Sequence, residues 1–310
     1  MEKISSTQLD FIGDIHGHAD ELIELLEKMG YSKADGFFQH ASRKAFFCGD
    51  FIDRGPQIKE VLQLVKAMID NGAAFTVIGN HEYNAICYHT VVNGTPLRAH
   101  TPHNTHQHRK TMEAFSPDEL QEYIAWFRTL PIYFDNENFG VVHAQWEKDY
   151  IKQLQERNIN NFSDEQFLIA SSTKTSTEYK IIECLLKGKE VQVPEIFFTD
   201  KDGKKRNAYR MKWWKNGMHK CKDALFEFPQ DNDAMMKFPL DGIEKGFPVF
   251  FGHYWLKNEK PVIQSVNACC LDFSVAKGGL LAGYRWSGEE ELGEGNFWWV
   301  DAVVRSTRYQ

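Results

Sequence analysis

Leu9-Asp10-Phe11-Ile12-Gly13-Asp14-Ile15-His16-Gly17 is the stretch whose reading decides the fold. A short apolar run reads as a buried strand. It stops at Gly13, and a carboxylate and an imidazole follow at once. Two later stretches repeat the design. Ala45-Phe46-Phe47-Cys48-Gly49 runs into Asp50-Phe51-Ile52-Asp53-Arg54-Gly55, and residues 74–79 run into Asn80-His81-Glu82. Between them, residues 19–29 and 57–70 carry apolar side chains at helical spacing. This alternation predicts an α/β fold built from βαβ units with a largely parallel sheet. In such sheets the carboxyl ends of the strands form the ligand crevice, so these loops are expected to converge. Val141-Val142-His143 and Phe250-Phe251-Gly252-His253 end in the same manner.

What converges is a set of metal-type ligands. Asp14 and Asp50 offer carboxylates, His16, His143 and His253 offer imidazoles, and Asn80 offers an amide oxygen. A carboxylate can bridge two divalent ions, and imidazoles fill the borderline positions. Two such cations can clamp a phosphoryl oxygen and acidify a bridging water. Arg54 and His81 stand beside these positions. Arginine offers a fork to phosphate oxygens, and histidine can protonate a leaving alkoxide. Taken singly, Asp14, Asp50 and Asn80 also suit helix capping. Taken with the three histidines, the metal reading prevails.

Gly13-Asp14-Ile15-His16-Gly17, Gly49-Asp50-Phe51-Ile52-Asp53-Arg54-Gly55 and Gly79-Asn80-His81-Glu82 resemble the three signature blocks of the calcineurin-like metallophosphoesterases. Within that superfamily they are similar to the serine/threonine phosphoprotein phosphatase branch, which includes bacterial and phage phosphatases and the symmetrical diadenosine tetraphosphatases. Asp14 and Asp50 are 36 residues apart, and Asp50 and Asn80 are 30 apart. The motifs span Gly13 to His253, and Ser274-Val275-Ala276-Lys277-Gly278-Gly279 also looks like bacterial members. The resemblance implies that Asp14, His16 and Asp50 hold one metal. Asp50, Asn80, His143 and His253 would hold a second, with Asp50 bridging. It further implies that His81 is the general acid, that Asp53 orients it, and that Arg54 binds phosphate. The implied fold is a β-sandwich of two mixed sheets flanked by helices (αββα). The implied mechanism is direct attack of metal-bound hydroxide on phosphorus, without a phosphoenzyme. Two divalent metal ions follow, manganese first, with iron, zinc or nickel as alternatives.

The sequence departs from the family pattern in places. His18-Ala19 replaces the Cys-Tyr of many bacterial relatives, and Ala144-Gln145 replaces a Gly-Gly pair. The second change counts against the eukaryotic protein phosphatase branch. His143 and His253 are 110 residues apart. That leaves room for an insertion at 150–245, helical to irregular, near the cleft of a single domain spanning 1–310. A second phosphate-binding arginine is expected there. Arg206 and Arg210, which precede Met211-Lys212-Trp213-Trp214, are the candidates, and Arg210 is assigned to substrate binding.

Composition limits the partners. The 310 residues are 42% hydrophobic, 25% charged and 14% aromatic, which excludes a disordered chain. A net charge of -7 offers no general surface for a nucleic-acid polymer. No apolar run reaches the ~18 residues of a membrane span. The polar start and six cysteines without a CxxC pair suggest buried thiols in a cytoplasmic protein. Oligomeric state is not legible.

Ser116-Pro117-Asp118-Glu119 predicts a capped helix to about residue 128. Helices are expected near 164–171 and 177–187, the second stopped by Gly188. After Pro248 the pattern is all strand, at 248–252, 262–266, 271–275, 280–286 and 297–304. His100, His103, His106 and His108 read as a solvated loop at the cleft mouth, interrupted by Pro102, with a third metal site as the alternative. Trp213 and Trp214 read as buried core of the insertion rather than a stacking platform, and the basic run 201–205 as a solvated face. The first functional reading is a phosphoprotein phosphatase acting on proteins, peptides or small phosphoesters. The alternatives are a dinucleoside polyphosphate hydrolase and a metal-binding scaffold without catalysis. Both Arg54 and His81 count against the scaffold.

Overall fold

Strand Leu9–Ile12 pairs in parallel with Lys44–Phe47, which pairs in parallel with Ala74–Thr76. On its other side Leu9–Ile12 meets Leu280–Trp286 in antiparallel fashion. Asp272–Phe273 and Phe297–Asp301 also pair with Leu280–Trp286, which completes a mixed six-stranded sheet. A second mixed sheet runs in the order Ala268–Cys270, Val249–Phe251, Gly140–Val142, Tyr133–Asp135. Its first two pairings are parallel and its last is antiparallel. This computed structural model describes residues 8–199, 205–215, 218–229, 231–232, 234–237 and 246–303. The basic run read at 201–205 lies outside the described residues except for Lys205.

The period-two alternation of the strands builds two cores. Phe11 and Phe46 point between the sheets, where Phe11 stacks on Phe250 with ring centroids 3.6 Å apart. Ile12, Ala45 and Phe47 point the other way, into the core shared with the helices. Strands buried on both faces have no polar alternation, which is why they read as continuous apolar runs. Helices α1 (Ala19–Lys28) and α2 (Ile58–Asp70) bring Leu22, Leu26, Val61 and Val65 to that second core. Helix α3 (Asn80–His89) follows the third parallel strand.

Two expectations are corrected. The stretch 100–108 is not a loop. Residues Pro102–Ala114 form helix α4, with Thr101 capping the Asn104 amide at 3.2 Å and Pro102 in the first turn. A proline at the first helical position starts a helix rather than breaking one, because its missing N–H has no intrahelical partner to lose. Residues 262–266 are not a strand either. The Gln264 side chain binds the Val262 carbonyl at 2.7 Å and the Cys270 amide, so it occupies groups a ladder would use. Ala268–Cys270 pairs in the sheet instead.

Helix α5 (Pro117–Thr129) begins with the Ser116–Glu119 capping box. Helices α6 (Lys148–Glu156), α7 (Glu165–Ser172) and α8 (Thr177–Lys187) follow, and Gly188 ends α8 at a φ of 77°. Beyond it the chain forms ribbons rather than irregular coil. Glu190–Gln192 pairs with Ala208–Arg210, and Tyr209, Met211, Leu225 and Phe228 close a small core of their own. Trp213 and Trp214 are buried against Phe251 and Tyr254, and the Trp213 indole donates to the Ala144 carbonyl at 3.0 Å. They anchor this segment and offer no free face. All six cysteines are unpaired and buried. No helix among the described residues is long and apolar enough to cross a membrane.

Candidate active site

The parallel strands end side by side, and their loops meet. Backbone bonds from Ile15 and His16 to the Asp50 carbonyl tie the first loop to the second. The Gly252 amide donates to the His143 carbonyl and joins the last two. The approach is tight. A Cβ on Gly79 would lie 2.2 Å from the Asp50 amide nitrogen, and one on Gly252 would lie 1.9 Å from Asp14 Oδ1. Only glycine fits at these positions.

Asp50 is the hub. Its Oδ2 is 3.5 Å from His16 Nε2 and 3.4 Å from His143 Nε2. Its Oδ1 accepts the His81 amide at 2.9 Å. His143 Nε2 is 3.1 Å from Asn80 Oδ1, and Asp14 Oδ2 accepts the His253 amide at 3.0 Å. His16, Asp50 and His81, and separately Asp50, His143 and His253, present ligand atoms within 4.8 Å of one another. Every one of these side chains is buried. Glu82, fully buried, holds the Asp50 loop by accepting the amides of Asp50, Phe51 and Ile52 at 2.8–3.2 Å.

The residues fit divalent cations on three observations. Asp14 Oδ1, His16 Nε2 and His253 Nε2 are buried without a hydrogen-bond partner. Leaving such atoms unmatched is costly unless a ligand completes them. His16 and His143 each turn Nδ1 to a backbone carbonyl, of Ile52 at 2.9 Å and Cys48 at 2.8 Å, which frees Nε2 for a metal. The charge balance agrees. Burial first, then Asp272 and Asp50, pushes the Asp14 carboxyl well up, and burial with Asp50 pushes Glu82 up to about 7. Raised carboxyls of this kind mark a pocket crowded with acidic groups. Burial pushes His16 down to about 3, so it stands as the neutral imidazole a metal needs. His143 goes the other way, to about 10, because Asp50 outweighs burial. A cation there would take the place of that proton.

His81 and Arg54 stand at the rim. His81 Nδ1 is 2.5 Å from Asp53 Oδ2. Burial lowers the His81 pKa, but Asp50 and Asp53 outweigh it and raise it overall. Arg54 lies over the Trp255 ring at 4.3 Å, with its Nε unpartnered. Both line a cleft of about 1230 Å³ shared with Asn80, His253, Arg210 and Lys277. Arg210 and Arg206 both line the cleft; Arg210 is half-buried and 3.9 Å from Glu190, and Arg206 is exposed and pairs with Glu190 at 2.9 Å. His18 bonds Glu21 at 3.3 Å at the start of α1.

The structure adds residues that the sequence reading left out. His108 and Thr111, on one face of α4, both bond Asp53 Oδ1, at 3.1 and 2.5 Å. His108 is therefore buried and engaged rather than solvated. None of His100, His103, His106 and His108 belongs to a metal-competent group among the described residues. The available signal was Thr101-Pro102, a helix start that puts residues 108 and 111 on one face. Glu82 was quoted within a motif without a role.

Compared with known proteins, residues 7–254 match the family described as calcineurin-like phosphoesterase. The chain belongs to that family. It is 34% identical over 151 residues to an asymmetrical bis(5'-nucleosyl)-tetraphosphatase of Halalkalibacterium halodurans, covering 46% of this chain and 59% of that one. It thus spans little more than half the length of that relative. It is 26% identical over 292 residues to a symmetrical bis(5'-nucleosyl)-tetraphosphatase of Buchnera aphidicola, covering 89% and 93%. A serine/threonine phosphatase structure from Saccharomyces cerevisiae superposes with a TM-score of 0.54 at 14% identity, over 98% of this chain and 82% of that one. That likeness concerns the fold, the two mixed sheets with flanking helices described above.

Proposed function

We propose that this chain hydrolyses phosphoesters with two divalent cations held by Asp14, His16, Asp50, Asn80, His143 and His253, Asp50 being shared. The carrying observation is the meeting of unpartnered Asp14 Oδ1, His16 Nε2 and His253 Nε2 around Asp50. When bound, the cations would supply Lewis acidity and an activated water. Manganese is our first assignment, with iron, zinc and nickel as alternatives.

The chain's own groups do the rest. Arg54, pinned by Trp255, and Arg210 from the ribbon bind phosphate oxygens in the cleft. His81 donates a proton from Nε2 to the leaving oxygen while Asp53 holds its Nδ1–H. Glu82 keeps the Asp50 loop in its left-handed conformation by taking its amides. The described part of segment 150–245, which brings Tyr150, Tyr179 and Arg210 to the cleft, acts as its cover. Six unpaired thiols suit a reducing compartment, and we place the protein in the cytoplasm.

For the substrate, dinucleoside polyphosphate is better supported than phosphoprotein. Two relatives similar in sequence carry that activity in their names. The cleft also exceeds the ~300–1,000 Å³ of ordinary small-ligand sites and is lined by Arg98, Arg210 and Lys277 besides Arg54. The test is a manganese panel of diadenosine tetraphosphate, phosphoserine, phosphothreonine and phosphotyrosine peptides, and p-nitrophenyl phosphate. The highest kcat/KM is expected on the tetraphosphate. Highest kcat/KM on a phosphopeptide restores the phosphatase reading. No turnover of any phosphoester leaves a scaffold.

A further inference from the structure

Asp53 is gripped on the side away from the candidate metal ligands. Its Oδ2 takes His81 Nδ1, and its Oδ1 takes His108 Nδ1 at 3.1 Å and the Thr111 hydroxyl at 2.5 Å. The Asp53 amide in turn donates to Thr111 Oγ1 at 3.1 Å. The bonding continues outward. His108 Nε2 is 3.1 Å from Nε2 of His89, at the end of α3. His81, Asp53, His108 and Thr111 are each more than nine-tenths buried, while His89 is partly exposed. Tyr88 walls the chain, its ring 5.5 Å from that of His108 and stacked on His100 at 3.9 Å.

We propose that His108, backed by His89, is a positioning residue for the proposed proton donor, so that His81, Asp53, His108 and His89 work as one hydrogen-bonded chain. The proposal rests on the phosphoesterase reading above for its kinetic part. Donor and acceptor roles follow from the chemistry of each group. A carboxylate only accepts, so His81 and His108 both present N–H at Nδ1. Of the two facing Nε2 atoms of His108 and His89, one donates and the other accepts. Each ring nitrogen is thereby fixed by the bond its opposite nitrogen makes. With Oδ1 held by two donors, the Asp53 carboxylate cannot rotate, and Oδ2 stays aligned with His81 Nδ1. The proton of His81 available to a leaving oxygen is then the one on Nε2. His108 thus reaches the reacting groups through Asp53 and does not itself line the cleft.

The alternative is that His108 merely docks α4. Two variants separate the ideas. In His108→Asn the amide nitrogen falls where Nδ1 was and reaches Asp53. In His108→Gln it falls where Nε2 was and reaches His89 instead. Phenyl phosphate has a poor leaving group, with a phenol pKa of about 10, and depends on the proton donor. p-Nitrophenyl phosphate has a better one and depends on it less. We expect His108→Gln to lower kcat on phenyl phosphate about tenfold, and on the nitrophenyl ester much less, with KM within about twofold. His108→Asn should recover most of the loss. Nitrogen NMR should show the protected His81 Nδ1–H retained in His108→Asn and lost to exchange in His108→Gln. Should the His108 variants fail to fold, His89→Ala removes the outer link, and the protected His81 signal should weaken there. Equal kcat losses on both esters with an unchanged His81 signal, or His108→Asn as impaired as His108→Gln, overturn the proposal, as does an unchanged signal in His89→Ala. A wild-type protein inactive on both esters overturns the phosphoesterase reading instead, and the NMR comparison still decides the chain.

Discussion

Asp50 and Asp53 share one loop, one residue type, deep burial and a left-handed backbone, with φ of 53° and 66°. Their surroundings differ in kind. Asp50 faces imidazole nitrogens and lies beside Asp14, whose Oδ1 has no partner. Asp53 is saturated by His81, His108 and Thr111. Burial raises both carboxyls, yet each ends well below the usual range, because histidines outweigh burial at both. The lesson is that an aspartate's role comes from who completes it. In the proposed reading, strand-end loops leave Asp50 to a cation, whereas a helix wall completes Asp53 with protein donors.

The sharpest way to break this contrast is to neutralise each aspartate in turn. Asp50→Asn should abolish hydrolysis by about a thousandfold, or ~4 kcal/mol of transition-state stabilisation. Calorimetric manganese titration should show binding lost with it. Full metal binding with activity lost would mean Asp50 does not hold the cations. Asp53→Asn should behave otherwise. We expect about a hundredfold loss in kcat, in the range of general acid catalysis, with manganese stoichiometry unchanged. A parallel loss of metal would erase the distinction drawn here.

Two smaller effects sharpen the Asp53 side. Thr111→Val removes a donor to Asp53 Oδ1 and strands the Asp53 amide, at about 1–3 kcal/mol of stability, measured by urea denaturation. A variant as stable as wild type would mean water replaces the hydroxyl. The last effect concerns pH at the outer end. Burial first, then His108 and His100, pushes His89 down from 6.5 to about 4. The unfolded chain therefore takes up this proton before the folded one, so its contribution is whole above pH 6.5 and lost as pH falls toward 4. His89→Gln should remove a modest part of the stability loss between pH 7 and pH 5. Identical pH profiles for variant and wild type would contradict it.

The parallel strands, their order along the chain and the polar residues at their ends were legible because each is local. An apolar run, a glycine and a polar residue lie within a few positions, as at Gly13-Asp14 and Gly49-Asp50. The capping box at Ser116 and the stop at Gly188 were legible for the same reason. Residues 262–266 misled because an apolar-rich run does not reveal that Gln264 occupies the ladder groups.

Sequence alone determined which residues cluster at the strand ends, since βαβ connections send successive carboxyl ends to one edge. Only the tertiary structure decided which partners complete them. Asp53 and His108 are separated by 55 residues, and nothing in the spacing says that α4 docks on this loop. The docking follows from long-range packing, with His108 and Thr111 brought to Asp53 by the burial of a helix face. The same holds for Trp255, which pins Arg54 from a loop about 200 residues away. Local chemistry is written in adjacent letters, whereas a side chain's orientation depends on neighbours that only the folded chain supplies.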